Sequence, residues 1–278
     1  MNIKIITVNF GDTNPTKSLV ESISLCSLPK KISISIADNS STIKSLKKLK
    51  KLKSKTKINI EIFSNEKNFY YWPAAKKIIS SLCDSKKDTF PNWILICNND
   101  VLFKDKKFFK KLEKIDLVKY PIIGPEIING KGHRLNPFMN KPLNFFSRLY
   151  WRVYFFSYPS SILISKIKEL IKLLLFNNKV SNIDSTKAYE VYSVHGSAIL
   201  FSSYFFKSGG WLDDNFDLYG EELTVAEIAK KLSIPINYLP NLILNHDEHT
   251  STKNSNQRIL FNKARDSYRY INSTYFIK

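Results

Sequence analysis

Four segments in the first hundred residues carry the hydrophobic pattern of buried β-strands. Residues 3–8 and 93–97 are nearly continuous apolar runs, and residues 31–37 and 58–63 alternate apolar and polar side chains. Short runs rich in isoleucine and valine are typical of strands, and alternation with period two indicates a strand with one buried face. A helical pattern separates the first two strands, which indicates a βαβ unit and a parallel sheet.

Other segments have the period of amphipathic helices with basic faces. Residues 43–57 place apolar side chains at positions 43, 46, 49 and 52 among eight lysines, and residues 163–176 place isoleucines and leucines opposite lysines. For residues 43–57 the basic face is either solvated surface or a contact with anionic lipid. For residues 163–176 the alternatives are a helix on a membrane surface and a helix on the domain core. A shorter basic helix is predicted at residues 105–114.

The rest of the chain also alternates strands and helices, around a segment of different texture. Residues 120–128 and 189–201 predict strands, residues 223–232 predict a helix, and residues 236–246 predict a last edge strand. Between them, residues 133–190 concentrate aromatic side chains, and we interpret them as a helical aromatic and basic insertion. The whole pattern predicts one large α/β domain.

Composition narrows the classes of partner. The chain has 278 residues, of which 43% are hydrophobic, so it can form a proper core. A net charge of +19 favours anionic partners such as nucleotides or phospholipid headgroups. Lysine dominates over arginine and is less suited to reading bases, so no nucleic acid is expected. Three cysteines without CxxC spacing argue against a disulfide framework or a zinc site.

The hydropathy of the chain predicts its location in the cell. The first eight residues turn polar too quickly for a signal peptide, and no run of about 18 apolar residues predicts a membrane span. We therefore expect a cytoplasmic protein. Peripheral attachment to the inner face of the cell membrane stays open.

Acidic and amide side chains stand where two predicted strands end. Asn98, Asn99 and Asp100 follow the fourth predicted strand, and Asp38 follows the second. A buried carboxylate is costly without a partner, and in open α/β sheets this end of a strand is where ligands bind. We predict a cation and a phosphate at Asp100, against the alternative of a polar turn. For Asp38 the alternative to a nucleotide contact is an Asx-turn.

Further blocks accompany these strand ends. In chain order the set is Ala37-Asp38-Asn39-Ser40-Ser41, Asn65 with Asn68-Phe69-Tyr70-Tyr71-Trp72, Asn98-Asn99-Asp100, His195-Gly196-Ser197-Ala198, Gly210-Trp211-Leu212-Asp213, Tyr219-Gly220-Glu221-Glu222 and His246. In their order and spacing they resemble the motifs of glycosyltransferase family 2. The resemblance is greatest to rhamnosyltransferases and to O-antigen or capsule-type members.

The match departs from the family pattern at four positions, and at one of them Lys76 stands where relatives often carry an asparagine. Asn68 stands for the glycine of the "N-x-G-[FY]" loop, and asparagine tolerates the left-handed backbone that a glycine supplies. Asn98 stands for the first aspartate of the DXD metal motif, and Glu222 for the aspartate that ends "Y-G-E-D". Because Asn98 offers only a neutral oxygen, the implied metal site is one charge weaker than a two-aspartate site.

The resemblance implies a fold and a division of the chain. The expected fold is GT-A (Rossmann-like), with a mixed, mostly parallel central sheet flanked by helices. Residues 1–250 would form the domain, with a nucleotide-sugar-binding half (1–120) and an acceptor-binding half (121–250). Residues 251–278 would form a basic C-terminal tail.

The resemblance also implies roles for individual residues. Glu222 would be the general base, and Asp100 and His246 would hold Mn²⁺ or Mg²⁺. A UDP-, dTDP- or GDP-linked donor would contact Val8, Asn9, Asp38, Asn68, Trp72, Lys76, Asn98 and Asn99. A saccharide or lipid-linked acceptor would contact His195, Gly196, Trp211 and Glu221. The implied activity is inverting hexosyl or deoxyhexosyl transfer in bacterial surface polysaccharide or lipopolysaccharide synthesis.

Several of these side chains have structural alternatives. Glu221 and Glu222 would suit a helix N-terminus by favouring the helix dipole. His195 would suit a strand end, and Trp211 a core position. The aromatic side chains at positions 70–72 either stack on a base or sugar or pack in the core.

Two other functions compete with sugar transfer. The net charge and the lysine-rich helix would suit a non-catalytic module that binds membranes or nucleic acid, although charge-driven binding does not require acids at strand ends. A nucleotidyltransferase would need a glycine-rich triphosphate loop, and residues 9–15 contain only Gly11.

Overall fold

The structure, a computed structural model, describes residues 1–40, 42–83, 90–174, 187–247 and 256–276. Its strands are β1 (Asn2–Asn9), β2 (Lys31–Asp38), β3 (Asn59–Ser64), β4 (Trp93–Asn98), β5 (Val101–Leu102), β6 (Ile122–Asn129), β7 (Tyr189–Val191), β8 (Ala198–Ser202) and β9 (Ile236–His246). Its helices are α1 (Asn14–Ser24), α2 (Ile43–Lys55), α3 (Tyr71–Cys83), α4 (Phe108–Leu112), α5 (Phe145–Tyr154), α6 (Tyr158–Leu174), α7 (Ser203–Lys207), α8 (Glu221–Lys231) and α9 (Gln257–Ile271), followed by the π-helical turn Asn272–Phe276.

All of these strands belong to one mixed sheet. Its order is β3-β2-β1-β4-β8-β6-β9-β5, and β7 also pairs with β9. The first four strands of this order run parallel, as do β6 and β9, whereas β8 is antiparallel to both of its neighbours. The predicted mostly parallel sheet flanked by helices is therefore confirmed.

The two faces of the sheet are covered by different helices. Residues of α1, α2 and α4 pack on one face, against side chains such as Ile5 and Leu95. Residues of α3, α7 and α8 pack on the other, against Ile6 and Ile96. Alternate residues of β1 and β4 thus serve opposite cores, which explains why these strands read as continuous apolar runs.

The strand register brings the predicted polar strand ends together. Asn9 at the end of β1 pairs with Asp38 at the end of β2. On the other side of β1, Val8 pairs with Asn98 at the end of β4. Ligands of open α/β sheets bind at the carboxyl ends of strands, where the chain order reverses, so the register defines where a site must be sought.

Two predicted elements differ from the structure. Residues 236–246 form one continuous strand that is not an edge, because β6 pairs along one side while β5 and β7 pair along the other. The register with β6 shifts between Pro125 and Glu126, whose partners in β9 are Leu239 and Ile243. The helix predicted at 105–114 is shorter and spans Phe108–Leu112.

The lysine-rich helix α2 faces solvent over most of its surface. It buries Ser45 and Leu49 against the domain, while its lysines are exposed. This arrangement agrees with the first of the two alternatives for this helix, a basic face exposed to solvent. Contact with anionic lipid stays a prediction.

The insertion folds as the helical pair α5 and α6. The predicted helix at 163–176 begins earlier, at Tyr158, and Leu175 and Phe176 lie outside the described residues. From Tyr158 to Glu169 only Ser161 is buried, so this part of α6 does not pack into the core. Within the residues that the structure describes, no helix is both long enough and apolar enough to cross a bilayer.

The segment assigned to a C-terminal tail contains a helix that packs on the domain. Phe261, Tyr268 and Ile271 of α9 are buried. The hydroxyls of Tyr270 and Tyr275 both donate to Asp213, at 2.7 and 2.5 Å. Residues 251–255 and 277–278 of the predicted tail lie outside the described residues.

Candidate active site

Asp38 is held at the end of β2 by a ring of donors around one of its carboxylate oxygens. Oδ1 accepts hydrogen bonds from the Ser45 hydroxyl at 2.9 Å, the Ser40 amide at 3.2 Å and the Asn9 side chain at 3.3 Å. The Ser40 bond is the Asx-turn that the sequence offered as an alternative. Oδ2 is buried and has no hydrogen-bond partner among the described residues. A buried carboxylate oxygen without a donor is costly, so this atom is a natural acceptor for a ligand N–H or O–H.

A chain of hydrogen bonds links this carboxylate to the end of β4. The Asn9 side-chain oxygen accepts from Thr16 at 2.7 Å, and the Thr16 oxygen accepts from Asn99 at 3.0 Å. Asn9 and Thr16 are fully buried. Val8 is half-buried beside Asn98. The amides predicted to touch a donor are therefore held rigidly at one edge of the sheet.

Asp100 and His246 lie together at the same edge. Asp100 precedes β5, whose pairing with β9 sets Val101 opposite His246. The Asp100 Oδ1 atom lies 3.0 Å from His246 Nε2, and the Asn98 side-chain nitrogen lies 3.4 Å from that same Nε2. Both Asp100 and His246 side chains are nearly buried, with exposed fractions of 12% and 11%.

These residues fit a divalent cation that also binds phosphate. Among the described residues, no cluster of three or more His, Cys, Asp or Glu side chains could hold a metal ion. One carboxylate, one imidazole and the nearby Asn98 amide instead offer an incomplete set of oxygen and nitrogen ligands. Mg²⁺ is commonly bound by one or two carboxylates together with substrate phosphates, and imidazole suits softer first-row metals.

His195 and Gly196 connect this pair to the acidic start of α8. The ring centres of His195 and His246 lie 6.4 Å apart, and His195 Nδ1 lies 2.9 Å from the Ser197 hydroxyl. The Gly196 amide donates to Glu222 Oε1 at 3.1 Å. A continuous path of contacts therefore runs from Asp100 through the two histidines to Glu222.

Glu221 and Glu222 occupy the first turn of α8 but differ in their contacts. Glu221 Oε2 accepts from the amide of Gly220 at 3.0 Å, which fits the helix-capping alternative. Both side chains lie close to Gly196, on a neighbouring loop, but it is Glu222 that accepts a hydrogen bond from the Gly196 amide. Burial raises the pKa of both carboxyls, and the negative charge of Glu221 raises the pKa of Glu222 further. A carboxylate with a raised pKa beside a ligand-binding edge is suited to accept a proton near neutral pH.

The aromatic loop before α3 differs from its predicted form. The left-handed residue is Tyr70, with φ 60°, and not Asn68. The Asn68 side chain accepts from the Tyr70 amide at 2.8 Å, and Asn39 donates to the Tyr70 carbonyl at 2.9 Å. Asn68 thus shapes the loop from within, which gives it a structural role beside its predicted donor contact.

Trp72, Lys76 and Trp211 do not join the residues at the sheet edge. Trp72 is 1% exposed and packs in the core, so it presents no ring face to a ligand and the packing alternative holds for it. Lys76 pairs with Asp214 at 2.5 Å. Lys76 and Trp211 instead line a shallow pocket of about 330 Å³ together with the C-terminal end of α8. None of Asp38, Asp100 or Glu222 lines that pocket.

Sequence reasoning missed the contacts that three residues make at the site, although it names Tyr71 as an aromatic side chain that stacks or packs. The Tyr71 hydroxyl donates to the Gly196 carbonyl at 3.0 Å, and burial raises the pKa of that hydroxyl, so it stays protonated. Asn136 accepts from the His195 amide at 2.7 Å. Thr16 bridges Asn9 and Asn99. Nothing in hydrophobic periodicity marks these contacts, since each joins segments far apart in the chain.

Gly196 has a predicted role that the geometry makes testable. A Cβ atom there would lie 2.5 Å from Glu221 Cγ and 2.9 Å from Glu222 Oε1, closer than real contacts allow. We expect Gly196→Ala to displace both carboxylates and to lower kcat by about a hundredfold, because misplacement by about 1 Å has that cost. The measurement is steady-state donor turnover, with thermal unfolding to confirm folding.

Gly130→Ala is the matched control, because a Cβ there meets only Asp247 Oδ1, at 3.8 Å. Wild-type kcat in Gly196→Ala would show that the close approach of Gly196 to the two glutamates has no catalytic importance.

No protein-family model and no curated protein sequence matches the chain. Its shape, however, is similar to several solved structures. The mannosyltransferase PcManGT from Pyrobaculum calidifontis, solved with GDP-Man and Mn²⁺, superposes with a TM-score of 0.56 at 10% identity, over 90% of this chain and 58% of that one. S. aureus TarS (residues 1–349), solved with UDP-GlcNAc, gives 0.58 at 12% identity, over 90% and 60%. GalNAc-T7, solved with UDP, GalNAc and Mn²⁺, gives 0.55 at 14%, over 89% and 44%.

These similarities establish the fold. The chain shares the mixed α/β architecture of GT-A glycosyltransferases, as its motif order indicated. It spans about three fifths of the length of the first two structures. Membership of glycosyltransferase family 2, and of its rhamnosyltransferase-like members, stays a prediction.

Proposed function

We propose that this protein transfers a sugar from a nucleotide-sugar donor to a saccharide or lipid-linked saccharide acceptor, with inversion at the anomeric carbon. The observation that carries the proposal is the meeting of Asp38, the Asp100–His246 pair and Glu222 at one edge of a GT-A sheet. Charge-driven binding requires no such convergence. The glycosyltransferases of similar shape make the donor class the natural choice, since PcManGT was solved with GDP-Man and TarS with UDP-GlcNAc.

Asp38 and the buried amides would hold the nucleotide. The free Oδ2 atom of Asp38 would accept a hydrogen bond from the base or ribose, while its Oδ1 stays fixed by Ser45 and Ser40. Asn9 and Asn99 are already ordered, so binding would cost little side-chain entropy. Which base is read, among uridine, thymidine and guanosine, is the part of this proposal that the thermal-shift test below addresses.

Asp100 and His246, with Asn98 beside them, would hold Mn²⁺ or Mg²⁺. When bound, the cation would neutralise the diphosphate that leaves the sugar. The chain's own contribution is one carboxylate and one imidazole placed side by side, with Asp100 just before β5 and His246 at the end of β9. Imidazole favours Mn²⁺ over Mg²⁺.

Glu222 would act as the general base. Its carboxylate would take the proton of the acceptor hydroxyl as that oxygen bonds to the anomeric carbon and the bond from that carbon to the phosphate oxygen breaks. The Gly196 amide orients the carboxylate, and burial beside Glu221 makes it a stronger base. Direct attack without a covalent intermediate gives inversion. His195 and Gly196 would border the acceptor.

The cellular role follows the motif resemblance. Rhamnosyltransferases and O-antigen or capsule-type enzymes build bacterial surface polysaccharides, and we assign this chain a reaction of that kind in the cytoplasm. A lipid-linked acceptor would bring the reaction to the inner face of the membrane.

A thermal-shift panel tests the donor site. The protein would be heated with UDP, dTDP or GDP and their sugars, each with and without Mn²⁺. We expect one nucleotide to raise Tm, by a margin that grows with concentration and with Mn²⁺, because a ligand that binds only the folded state stabilises it. Release of the nucleoside diphosphate from its sugar would then be measured with the stabilising donor. An Asp38→Asn variant that responds to the nucleotides as the wild type does would contradict the donor assignment.

A further inference from the structure

The helical pair α5–α6 presents large apolar side chains to solvent. None of the residues of α5 is buried. Phe145, Phe146 and Phe156 are 73%, 76% and 77% exposed. The exposed set of six, here called the α5–α6 surface, comprises Phe145, Phe146, Leu149, Val153, Phe156 and Leu163. Large apolar side chains exposed together on one pair of helices are unusual on a protein surface and point to an interaction site.

The opposite side of α5 is already occupied. Trp151 stacks on Phe155, and the Phe155 ring stacks on Tyr268 of α9 with centres 5.0 Å apart. Arg148 donates to the Phe276 carbonyl and accepts at its own carbonyl from the Tyr268 hydroxyl. Positions 145, 149 and 153 recur at helical spacing along α5 and form a separate stripe, and Phe156 follows the end of that helix. Among the residues that the structure describes, the α5–α6 surface therefore stays exposed to solvent, on a helical pair that α9 supports.

The charge around this stripe is almost entirely positive. Between Phe138 and Glu169 the basic residues are Lys141, Arg148, Arg152, Lys166 and Lys168, against the single acid Glu169. Phenylalanine and leucine on one face with lysine and arginine beside them is the signature of a helix that lies in a membrane interface. A second copy of the chain would bring the same positive charges face to face, whereas anionic headgroups would neutralise them.

We propose that the α5–α6 surface docks the protein on an anionic lipid bilayer, with the phenylalanines entering the headgroup region. The proposal rests on the proposed function, because docking on a bilayer would bring the active site to a lipid-linked acceptor. It differs from docking through the lysines of α2, which would need charge only.

Vesicle co-sedimentation tests the docking. The probes are vesicles of phosphatidylcholine with and without phosphatidylglycerol, and the variant is Phe145→Gln/Phe146→Gln/Phe156→Gln. Because the three rings are mostly exposed, the fold should be unaffected, which circular dichroism and Tm will check. We expect the wild type to bind the anionic vesicles and the variant to bind at least about tenfold more weakly. Leu25→Gln/Ile43→Gln, with side chains 69% and 74% exposed just after α1 and at the start of α2, is the matched control and should bind as the wild type does.

Three outcomes would overturn the proposal. They are equal binding by the wild type and the triple variant, no binding by the wild type, and an equal loss in the Leu25→Gln/Ile43→Gln control. A dimer that the triple variant abolishes, without vesicle binding, would identify the surface as a contact between copies instead. Turnover with a soluble acceptor analogue separates docking from function, because the triple variant should retain it. Vesicle binding without turnover of any nucleotide-sugar would leave the docking standing and remove the proposed function.

Discussion

Replacing Glu222 by glutamine is expected to lower kcat by about 10²–10⁴-fold, the usual contribution of a general base, while leaving donor affinity unchanged. Glutamine keeps the size of the side chain and an oxygen for the Gly196 amide, but it cannot accept the hydroxyl proton. The measurement is steady-state turnover of the donor identified by thermal shift, together with the Kd of that donor. A variant that turns over at the wild-type rate would remove Glu222 from catalysis.

The neighbouring Glu221 offers a matched control with its own signature. Its charge raises the pKa of Glu222, so Glu221→Gln should lower that pKa. In the wild type, kcat/KM should fall as the pH drops through the raised pKa of Glu222, well above the usual glutamate value of about 4.3. In Glu221→Gln this fall should move to lower pH, with kcat reduced far less than in Glu222→Gln. A larger loss in Glu221→Gln would transfer the base role to Glu221.

Stability gives a second check on Glu222→Gln. A carboxyl whose pKa is raised by folding holds its proton more tightly in the folded state than in the unfolded chain. Its contribution to the free energy of unfolding is therefore greatest below the unfolded pKa and is lost as the pH rises through the folded one. Glutamine carries no charge, so Glu222→Gln should match or exceed the wild-type Tm at neutral pH. A fall in kcat with a raised Tm would exclude unfolding as the cause.

Replacing Asp100 by alanine is expected to abolish Mn²⁺ binding and to lower kcat by at least about a hundredfold, because the cation supplies several kcal/mol of charge stabilisation. Titration calorimetry with Mn²⁺ in the presence of the nucleoside diphosphate measures the first effect without any turnover. His246→Ala should weaken Mn²⁺ in the same direction. Asp266→Ala, which removes a mostly exposed carboxylate of α9, is the control and should change neither quantity.

A substitution at Asn98 tests the same metal site in the opposite direction, by a gain in Mn²⁺ affinity. Its side chain lies 3.4 Å from His246 Nε2 but offers no charge. Asn98→Asp should tighten Mn²⁺ binding, because a second carboxylate would join Asp100. Unchanged Mn²⁺ affinity in both Asp100→Ala and Asn98→Asp would remove the metal site and leave phosphate neutralisation to another group.

The site at the carboxyl ends of the strands could be predicted from the sequence because strand periodicity and polar strand ends are local signals. The sequence shows the apolar runs of β1 and β4, and it shows acidic residues at the end of β2 and just after β4. Parallel pairing of these strands then brings the acidic residues to the same end of the sheet. Such signals do not show which strands are neighbours across the sheet, so the prediction of an edge strand at residues 236–246 is wrong for β9, which is paired on both sides. The shifted register opposite Pro125 is a tertiary feature with no local pattern.

The same limit explains the side chains that proved to lie elsewhere. Trp72 occupies the motif position expected for a donor contact, but helix direction turns its ring into the core. Lys76, one turn further along α3, lies beside Asp214. Sequence spacing shows which residues share a helix, whereas the direction of each side chain depends on what packs against that helix. The contacts of α9 with α5 were likewise hidden, because that helix is polar and basic along most of its length.

The left-handed turn at Tyr70 has a consequence for how such proteins are detected. A tyrosine with positive φ costs about 1–3 kcal/mol, and here Asn39 and Asn68 bond to its backbone on both sides. Hydrogen bonds with these two asparagines thus hold a left-handed residue in a loop that contains no glycine. A motif search that requires a glycine at position 68 passes over this loop, although its backbone adopts a positive φ two residues later, at Tyr70. Searches scored on the dihedral angles of this loop, with asparagine accepted at its flanks, would reach relatives that searches for the glycine pass over.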